Sequence, residues 1–393
     1  MEKIPSGNSA ICTPSEIPEA AAESLSALRN NIDAIDRQIV SLLAQRQQEV
    51  NAVVALKKTH NLPVYHPARE ENLISDRRAR GIQAGLNPDY LEELFRCIIH
   101  QSRVEQTAKI AEKGTRPGAT VLIVGGSGGM GRYFTRYFRE AGYSVRSMRS
   151  TDWPNIEALC DRIDLAIISV PIDVTVSVIE KIAPYLPPDC ILTDLTSIKG
   201  PPMTAMLAAH TGPVVGLHPL FGPTTSIMDK QIVAVTPGRG MAACQWLIDQ
   251  FILWGAILVQ TTPREHDDIM AIVQALRHFA TFTFGKFLWQ RRLNLARSLE
   301  FSSPIYRLEL GMVGRLFAQD AALYAEIIFA SRERIELLKA YVASMMDNIE
   351  MLEKGGKETF NKEFAKIAEW FGPFSEQAMR ESTFLIDKLI ERF

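Results

Sequence analysis

Two groups of residues in this chain have types and spacing that can do chemistry. The first is Gly126-x-Gly128-x-x-Gly131, which follows the β-branched run Thr120–Val124 and opens a helix-like stretch. Glycines at those places permit a tight turn and let backbone N–H groups approach a pyrophosphate, which then rests on the positive end of a helix. Gly126, Ser127, Gly128, Met130 and Gly131 are therefore candidates for holding a dinucleotide, and the strand–helix context separates them from a glycine turn that holds nothing. The next predicted strand ends Ser147-Met148-Arg149-Ser150-Thr151, without the acidic residue that commonly takes the ribose hydroxyls. Arg149 with its hydroxyl neighbours suits a 2′-phosphate and leans toward NADP; a solvated arginine beside an NAD site would read the same way.

The second group lies on a long amphipathic helix. Leu28, Ile32, Ile35, Ile39 and Leu42 draw an apolar seam that reaches Arg46, a charge where an apolar residue belongs. After about 1,100° of helical rotation Lys57 returns to within roughly 20° of Arg46. Two cations on one half-apolar stripe make a pocket for an anion; they would equally serve as solvated charges on a dimeric coiled coil. Arg29 lies roughly 100° around the helix from Arg46 and would point elsewhere, for example into a neighbouring subunit's pocket. Ser102 and Gln106 share one face of a later helix.

The elements that must position these groups follow from periodicity and breakers. Residues 1–23 read as a flexible leader, 24–108 as three helices interrupted near Pro63 and between Gly85 and Pro88, and 109–118 as a linker. Residues 119–262 alternate buried-strand candidates (Thr120–Val124, Tyr143–Met148, Leu165–Val170, Cys190–Asp194, Val214–Leu217, Ile232–Val235) with helical segments, the pattern of a mostly parallel, doubly wound sheet. Residues 263–393 carry only helical patterning. Three helices, the first very long, cannot enclose a core alone, so an intertwined dimer is expected.

Composition closes off other classes. With 43 basic and 45 acidic side chains the formal charge is −2, which gives no global pull toward nucleic acid or anionic membrane. The 5 cysteines are scattered without C-x-x-C pairs, as expected of reduced thiols in a cytosolic protein. The longest uncharged apolar stretch, Phe251–Val259, is far short of the roughly 20 residues a bilayer helix needs. The start of the chain lacks the basic and apolar regions of a signal peptide. His266, between Glu265 and Asp267, resembles a metal ligand only superficially, because adjacent helical residues diverge; no metal is expected.

Longer strings complete the picture. Arg29, Arg46, Lys57, Arg69, Glu70, Ser102 and Gln106 match, at the same relative spacings, the pocket of the all-helical chorismate mutases. The second half carries Asp194-Leu-Thr-Ser-Ile-Lys199, Gly216-Leu-His-Pro-Leu-Phe-Gly-Pro223, Gln274-Ala-Leu-Arg-His-Phe279 and Ser303-Pro-Ile-Tyr-Arg307. Together these resemble the bifunctional chorismate mutase/prephenate dehydrogenase family of tyrosine biosynthesis, from about Ser24 to the C-terminus. The resemblance implies an all-α chorismate mutase domain, an α/β Rossmann-type dinucleotide-binding domain and an all-α dimerisation domain.

It also implies roles. Chorismate mutase needs no nucleophile and no proton transfer; it must hold a compact conformer and stabilise charge on the breaking ether oxygen. Arg29, from the partner chain, and Arg46 would bind carboxylates, Lys57 and Gln106 would donate to the ether oxygen, and Arg69, Glu70 and Ser102 would complete the pocket. His66 departs from the pattern, since the related mutase of the phenylalanine pathway has aspartate there. In the dehydrogenase, His218 would take the proton of the ring hydroxyl, a task suited to an imidazole. Ser197 would bond that hydroxyl, Lys199 would serve the substrate or its pocket, and Arg315 would clamp the ring carboxylate. Arg307, counted with the substrate-binding set, and His278 would stand behind them. The family expectation is NAD as cofactor, a homodimer in the cytoplasm, and inhibition by tyrosine. Two alternatives remain at this stage: a dehydrogenase that prefers arogenate, and one whose helical module is a silent dimerising or regulatory unit.

Overall fold

The structure, a computed structural model, describes residues 19–60, 66–111 and 114–390. It divides into two compact units, Met1–Ile110 and Ala111–Phe393. The first unit holds α1 (Glu19–His60), α2 (Pro67–Gln83) and α3 (Pro88–Ala111). Residues 1–18 of the expected leader lie outside the described residues, but residues 19–23 belong to α1, because Glu-Ala-Ala-Ala-Glu is a run of strong helix formers. His66 caps α2: its Nδ1 accepts the Arg69 N–H at 3.3 Å, and Pro67 supplies a helix-ready φ in the first turn. Val54, Ile74 and Ile99 are the buried apolar residues described in this unit, while the α1 seam stays open, with Leu28 59% and Ile32 56% exposed.

The expected linker at 109–118 is largely structured. Lys109–Ala111 continue α3, and from Gly114 the chain docks on the second unit. The Thr115 N–H donates to Gln250 Oε1 at 2.8 Å, its hydroxyl to the Trp246 carbonyl at 2.7 Å, and Arg116 pairs with Asp164 at 2.8 Å. The polar residues that resemble a spacer are those that satisfy the entry to the first strand.

The second unit opens as β1 (Thr120–Val124), α4 (Gly129–Glu140), β2 (Ser144–Met148), α5 (Ile156–Cys160), β3 (Leu165–Ile168) and α6 (Ile172–Ile182). It continues as β4 (Ile191–Asp194), α7 (Gly200–Ala209), β5 (Val214–Pro219), β6 (Ile232–Pro237), α8 (Met241–Leu253) and β7 (Ile257–Gln260). The seven strands lie in the order β2-β1-β3-β4-β5-β6-β7, all neighbours parallel except β5 and β6. β7 has no counterpart among the predicted strands, because α8 and β7 merge into one apolar run broken only at Gly255, whose φ is 89°. Alternate β1 residues feed opposite cores: Val121 and Ile123 meet Phe134, Phe138 and Trp254, while Leu122 and Val124 face Ile179 and Met206.

The remainder is helical: α9 (Pro263–Met270), a π-type turn at Ala271–Leu276, α10 (Arg277–Gln290), α11 (Leu295–Glu300), α12 (Pro304–Phe317), α13 (Ala321–Phe329), α14 (Arg332–Lys354), α15 (Gly356–Phe371) and α16 (Pro373–Ile390). Here too large apolar side chains remain open, with Trp289 76% and Trp370 80% exposed. No described helix is long and apolar enough to cross a membrane.

Of the two places expected for Lys199, the substrate or its pocket, the geometry fits the second. Its side chain is 0% exposed, its ammonium pairs with Asp194 at the end of β4, and it donates to the Leu217 carbonyl of β5 at 2.8 Å. An ammonium enclosed this way joins two strands rather than meeting a substrate. Removing it leaves a buried carboxylate without its counter-ion, so Lys199→Met is expected to destabilise the second unit by about 3–5 kcal/mol. Denaturant unfolding followed by tryptophan fluorescence measures this, and Asp194→Leu added to Lys199→Met is expected to recover part of the loss.

Candidate active sites

In the first unit one cavity of about 220 Å³ collects Arg46, Val53 and Lys57 of α1, His66, Arg69, Glu70 and Leu73 at the start of α2, and Ile99, Ser102, Arg103 and Gln106 of α3. Helical periodicity explains each contribution: Arg46, Val53 and Lys57 recur on one stripe of α1, and Ile99, Ser102 and Gln106 recur on one stripe of α3. Arg46 Nη1 donates to Ser102 Oγ at 2.6 Å, and Lys57 Nζ lies 3.4 Å from Gln106 Oε1. That second bond uses the Gln106 carbonyl and so does not engage its amide nitrogen, a donor. Burial lowers the pKa of Lys57, and the Glu70 carboxylate opposes the shift. Burial also lowers Arg46, with Arg77 adding to the effect. Four cationic side chains and one carboxylate line this space, a charge balance suited to an anion.

Arg103 is a member of the cavity that sequence reading missed. It is 7% exposed and pairs with Glu70, so Glu70 orients a guanidinium. Its signal was its place one residue after Ser102, a charge on a half-buried helix face. Arg29 stands apart: it is exposed on α1, about 25 Å of helix before Arg46, and does not line the cavity.

In the second unit the glycine motif forms the turn from β1 into α4. Gly125 has φ 83°, and a Cβ on Gly131 would lie 2.3 Å from the Gly125 carbonyl oxygen. A side chain there would push the helix off the turn. Gly128 caps α4 without a side-chain hydrogen bond, leaving the first-turn N–H groups of α4 facing outward. Ser127 is exposed, and its carbonyl accepts a bond from Arg132. Met130 packs against the core, so its contribution to a ligand is through its backbone. Gly125 N–H bonds the Met148 carbonyl at 2.8 Å, which sets the end of β2, with exposed Arg149, beside the turn. The Asp152 carboxylate accepts the Arg149 N–H at 2.8 Å, so an acidic side chain also stands at this strand end, out of register with the usual pattern. A bare backbone cradle at a helix N-terminus, at the switch between β1 and β3, fits the pyrophosphate of a dinucleotide.

His218 lies near the C-terminal end of β5 and Ser197 just beyond β4, its parallel neighbour. Gly216 of the same strand must be bare, since a Cβ would lie 2.2 Å from Thr236 Oγ1 and 2.7 Å from Met203 Sδ. The His218 ring is 4% exposed, with Nδ1 2.9 Å from His266 Nε2 and Nε2 3.4 Å from the Gln274 amide nitrogen. Burial first, then the charges of Lys199, His266 and Arg334, hold its pKa well below the ordinary histidine range. Among the described residues, Ser197 Oγ and Gln274 Oε1 are enclosed without a hydrogen-bond partner. Gln274 reaches this place from the π-type turn, a distortion that often marks functional positions.

The other predicted residues fall nearby in sequence but differ in use. Arg307 donates to the Leu299 carbonyl at 2.7 Å and so ties α12 to α11. Arg315 is exposed on α12. His278 is buried edge-on to Tyr324, and enclosure beside Arg277 pushes its pKa down to about 4. Sequence reading expected no metal at His266 and passed over Arg334; the first backs onto His218, and the second is 3% exposed on α14, its Nη2 without a hydrogen-bond partner among the described residues.

Comparison with known proteins agrees with this geometry. Residues 28–107 match the family described as chorismate mutase type II, 147–256 the prephenate dehydrogenase nucleotide-binding domain, and 262–366 the prephenate dehydrogenase dimerization domain. The chain is 43% identical over 362 residues to a T-protein of Enterobacter agglomerans, covering 92% of this chain and 97% of that one. It is 39% identical over 366 residues to a T-protein of Haemophilus influenzae, covering 93% and 97%. Among solved structures, prephenate dehydrogenase from A. aeolicus in complex with hydroxyphenyl propionate and NAD+ shares the fold, with TM-score 0.53 and 18% identity over 64% of this chain and 96% of that chain. The chain belongs to the T-protein family, in which a type II chorismate mutase precedes a prephenate dehydrogenase.

Proposed function

We propose that the first unit rearranges chorismate to prephenate and the second oxidatively decarboxylates prephenate to 4-hydroxyphenylpyruvate. The observation that carries the first half is the single cavity into which α1, α2 and α3 turn Arg46, Lys57, Arg69, Ser102 and Gln106. Arg46 and Arg69 take carboxylates of the dianion, and Ser102 holds the Arg46 fork in place. The Lys57 ammonium and the Gln106 amide donate to the ether oxygen as its bond to carbon breaks, a preorganised pair in a half-buried site. Arg29 acts in the cavity of a second copy, since it lies off its own. The open seam of α1 and the open aromatic residues of the C-terminal helices are the surfaces a homodimer would cover.

In the second unit Gly126, Gly128 and Gly131 cradle the pyrophosphate of NAD(P). When bound, that cofactor supplies the acceptor for the hydride leaving the ring carbinol carbon. His218 Nε2 takes the hydroxyl proton, Ser197 Oγ orients the same hydroxyl, and Arg315 holds a carboxylate. Aromatisation as carbon dioxide leaves supplies the driving force, so these side chains have to orient and to accept one proton. Arg149 favours a 2′-phosphate and Asp152 a ribose diol; Arg149→Ala distinguishes them, a fall in kcat/KM confined to NADP assigning the guanidinium to that phosphate.

Lys57→Ala is expected to lower kcat for chorismate consumption by about 10²–10³-fold while leaving oxidation of added prephenate unchanged. A silent Lys57→Ala would reduce the helical unit to a dimerising module. Lys57 acts as a cation and its pKa is lowered, so mutase activity is expected to fall as pH rises through a value below the ordinary 10.5. His218 acts unprotonated and its pKa is lowered, so the acid limb of kcat/KM for prephenate is expected below about pH 6.5. Finally, Gly131→Ala is expected to abolish nucleotide binding, read as loss of tryptophan quenching by NADH, with chorismate consumption intact.

A further inference from the structure

Behind His218 runs a buried chain of hydrogen bonds whose proton positions follow from the groups that make it. Asp267 on α9 accepts the backbone N–H of Lys199 at 2.7 Å and of Gly200 at 2.8 Å, and its Oδ1 lies 2.8 Å from His266 Nδ1. Burial alone would raise its pKa, but the bonds from His266, Gly200 and Lys199 outweigh that and keep it below the ordinary carboxylate value. An ionised carboxylate only accepts, so His266 carries its proton on Nδ1. In a neutral ring Nε2 is then bare and only accepts as well. His218 Nδ1, 2.9 Å away, must therefore donate. That leaves the lone pair of His218 on Nε2, facing the Gln274 amide, a donor, at 3.4 Å.

We propose that His266 and Asp267 are a positioning pair that fixes the tautomer and orientation of His218, so that its bare Nε2 meets the substrate hydroxyl. The proposal rests on the prephenate dehydrogenase reading of the second unit. The His266 ring is 2% exposed, so no water competes for its nitrogens. When His218 takes the hydroxyl proton on Nε2, its Nδ1–H stays bonded to His266, and the negative charge of Asp267 lies next along the chain. One proton moves from oxygen to nitrogen and none leaves the protein. Lys199, His266 and Arg334 all oppose protonation of His218, and the Asp267 carboxylate bonded to His266 works against them. Asp267 also anchors the backbone at Lys199 and Gly200, the end of the turn that carries Ser197. One carboxylate thus sets both the base and the group that orients the substrate hydroxyl.

The experiment compares Asp267→Asn, His266→Gln and His266→Leu in the full chain, measuring kcat and KM for prephenate with saturating NAD(P). In parallel, long-range 1H–15N correlation on 15N-histidine-labelled protein reads which His218 nitrogen carries the proton. The side-chain amide that Asp267→Asn introduces can donate to His266 Nδ1 and so reverse both tautomers. Asp267→Asn is expected to lower kcat by about 10²–10⁴-fold with a much smaller change in KM, and to move the His218 proton from Nδ1 to Nε2. The carbonyl that His266→Gln introduces can still accept from His218, so that variant is expected to keep at least about ten times the kcat of His266→Leu, one hydrogen bond's worth of preference. Equal loss in the Gln and Leu variants, or an unchanged tautomer in Asp267→Asn, overturns the pair's role. The unaltered chain separates this failure from that of the reading beneath it. An Nε2-protonated His218 there overturns the pair whatever the activity. An Nδ1-protonated His218 in a chain that leaves prephenate untouched upholds the pair's hold on the tautomer and overturns the dehydrogenase reading instead.

Discussion

The Lys199 ammonium, fully enclosed, bonds at once to the Asp194 carboxylate on β4 and to the Leu217 carbonyl on β5. Ser197 lies between the two members of that pair along the chain, and His218 directly follows Leu217. The two side chains assigned to the ring hydroxyl are therefore referenced to a single joint. Charges taken this far out of water are costly unless their geometry is good, so each member of the pair depends on the other staying in place. The bare Gly216 beneath it completes the joint, because Lys199 and Met203 pass where a Cβ would stand.

The two sites handle charge in opposite ways. The helical cavity keeps four cations against one carboxylate, half-buried and poised for a dianion. In the dehydrogenase unit the nearest cations are spent internally: Lys199 on Asp194, and one arm of Arg334 on the Ile327 carbonyl. Enclosure then favours a neutral imidazole at His218, the form a proton acceptor needs.

Neither unit closes its apolar surface within one chain. The seam of α1 is about half exposed, and α1, α2 and α3 together enclose few apolar side chains. A three-helix unit of this size has too little interior to bury a continuous core, so apolar surface that would be core in a larger domain stays exposed on it. The helices after α9 repeat the pattern with Trp289, Phe301, Phe329 and Trp370.

Periodic and local features were legible in the residues themselves. The strand–glycine–helix unit, the apolar seam, the Arg46–Lys57 stripe and six of the seven strands depend on spacings of two and between three and four, which backbone geometry imposes wherever they occur. β7 was hidden because helix and strand share one apolar run, and α1 began early because alanine-rich sequence does not announce a start. What only tertiary structure decided were long-range pairings with no local signal. That Lys199 turns inward to Asp194, that Arg103 meets Glu70, and that Asp267 and His266 stand behind His218 all join residues from different elements. A lysine, an arginine or a histidine looks the same in a sequence whether it faces water or a buried partner. The choice belongs to packing, which removes water from the group and leaves the neighbouring chain to replace it.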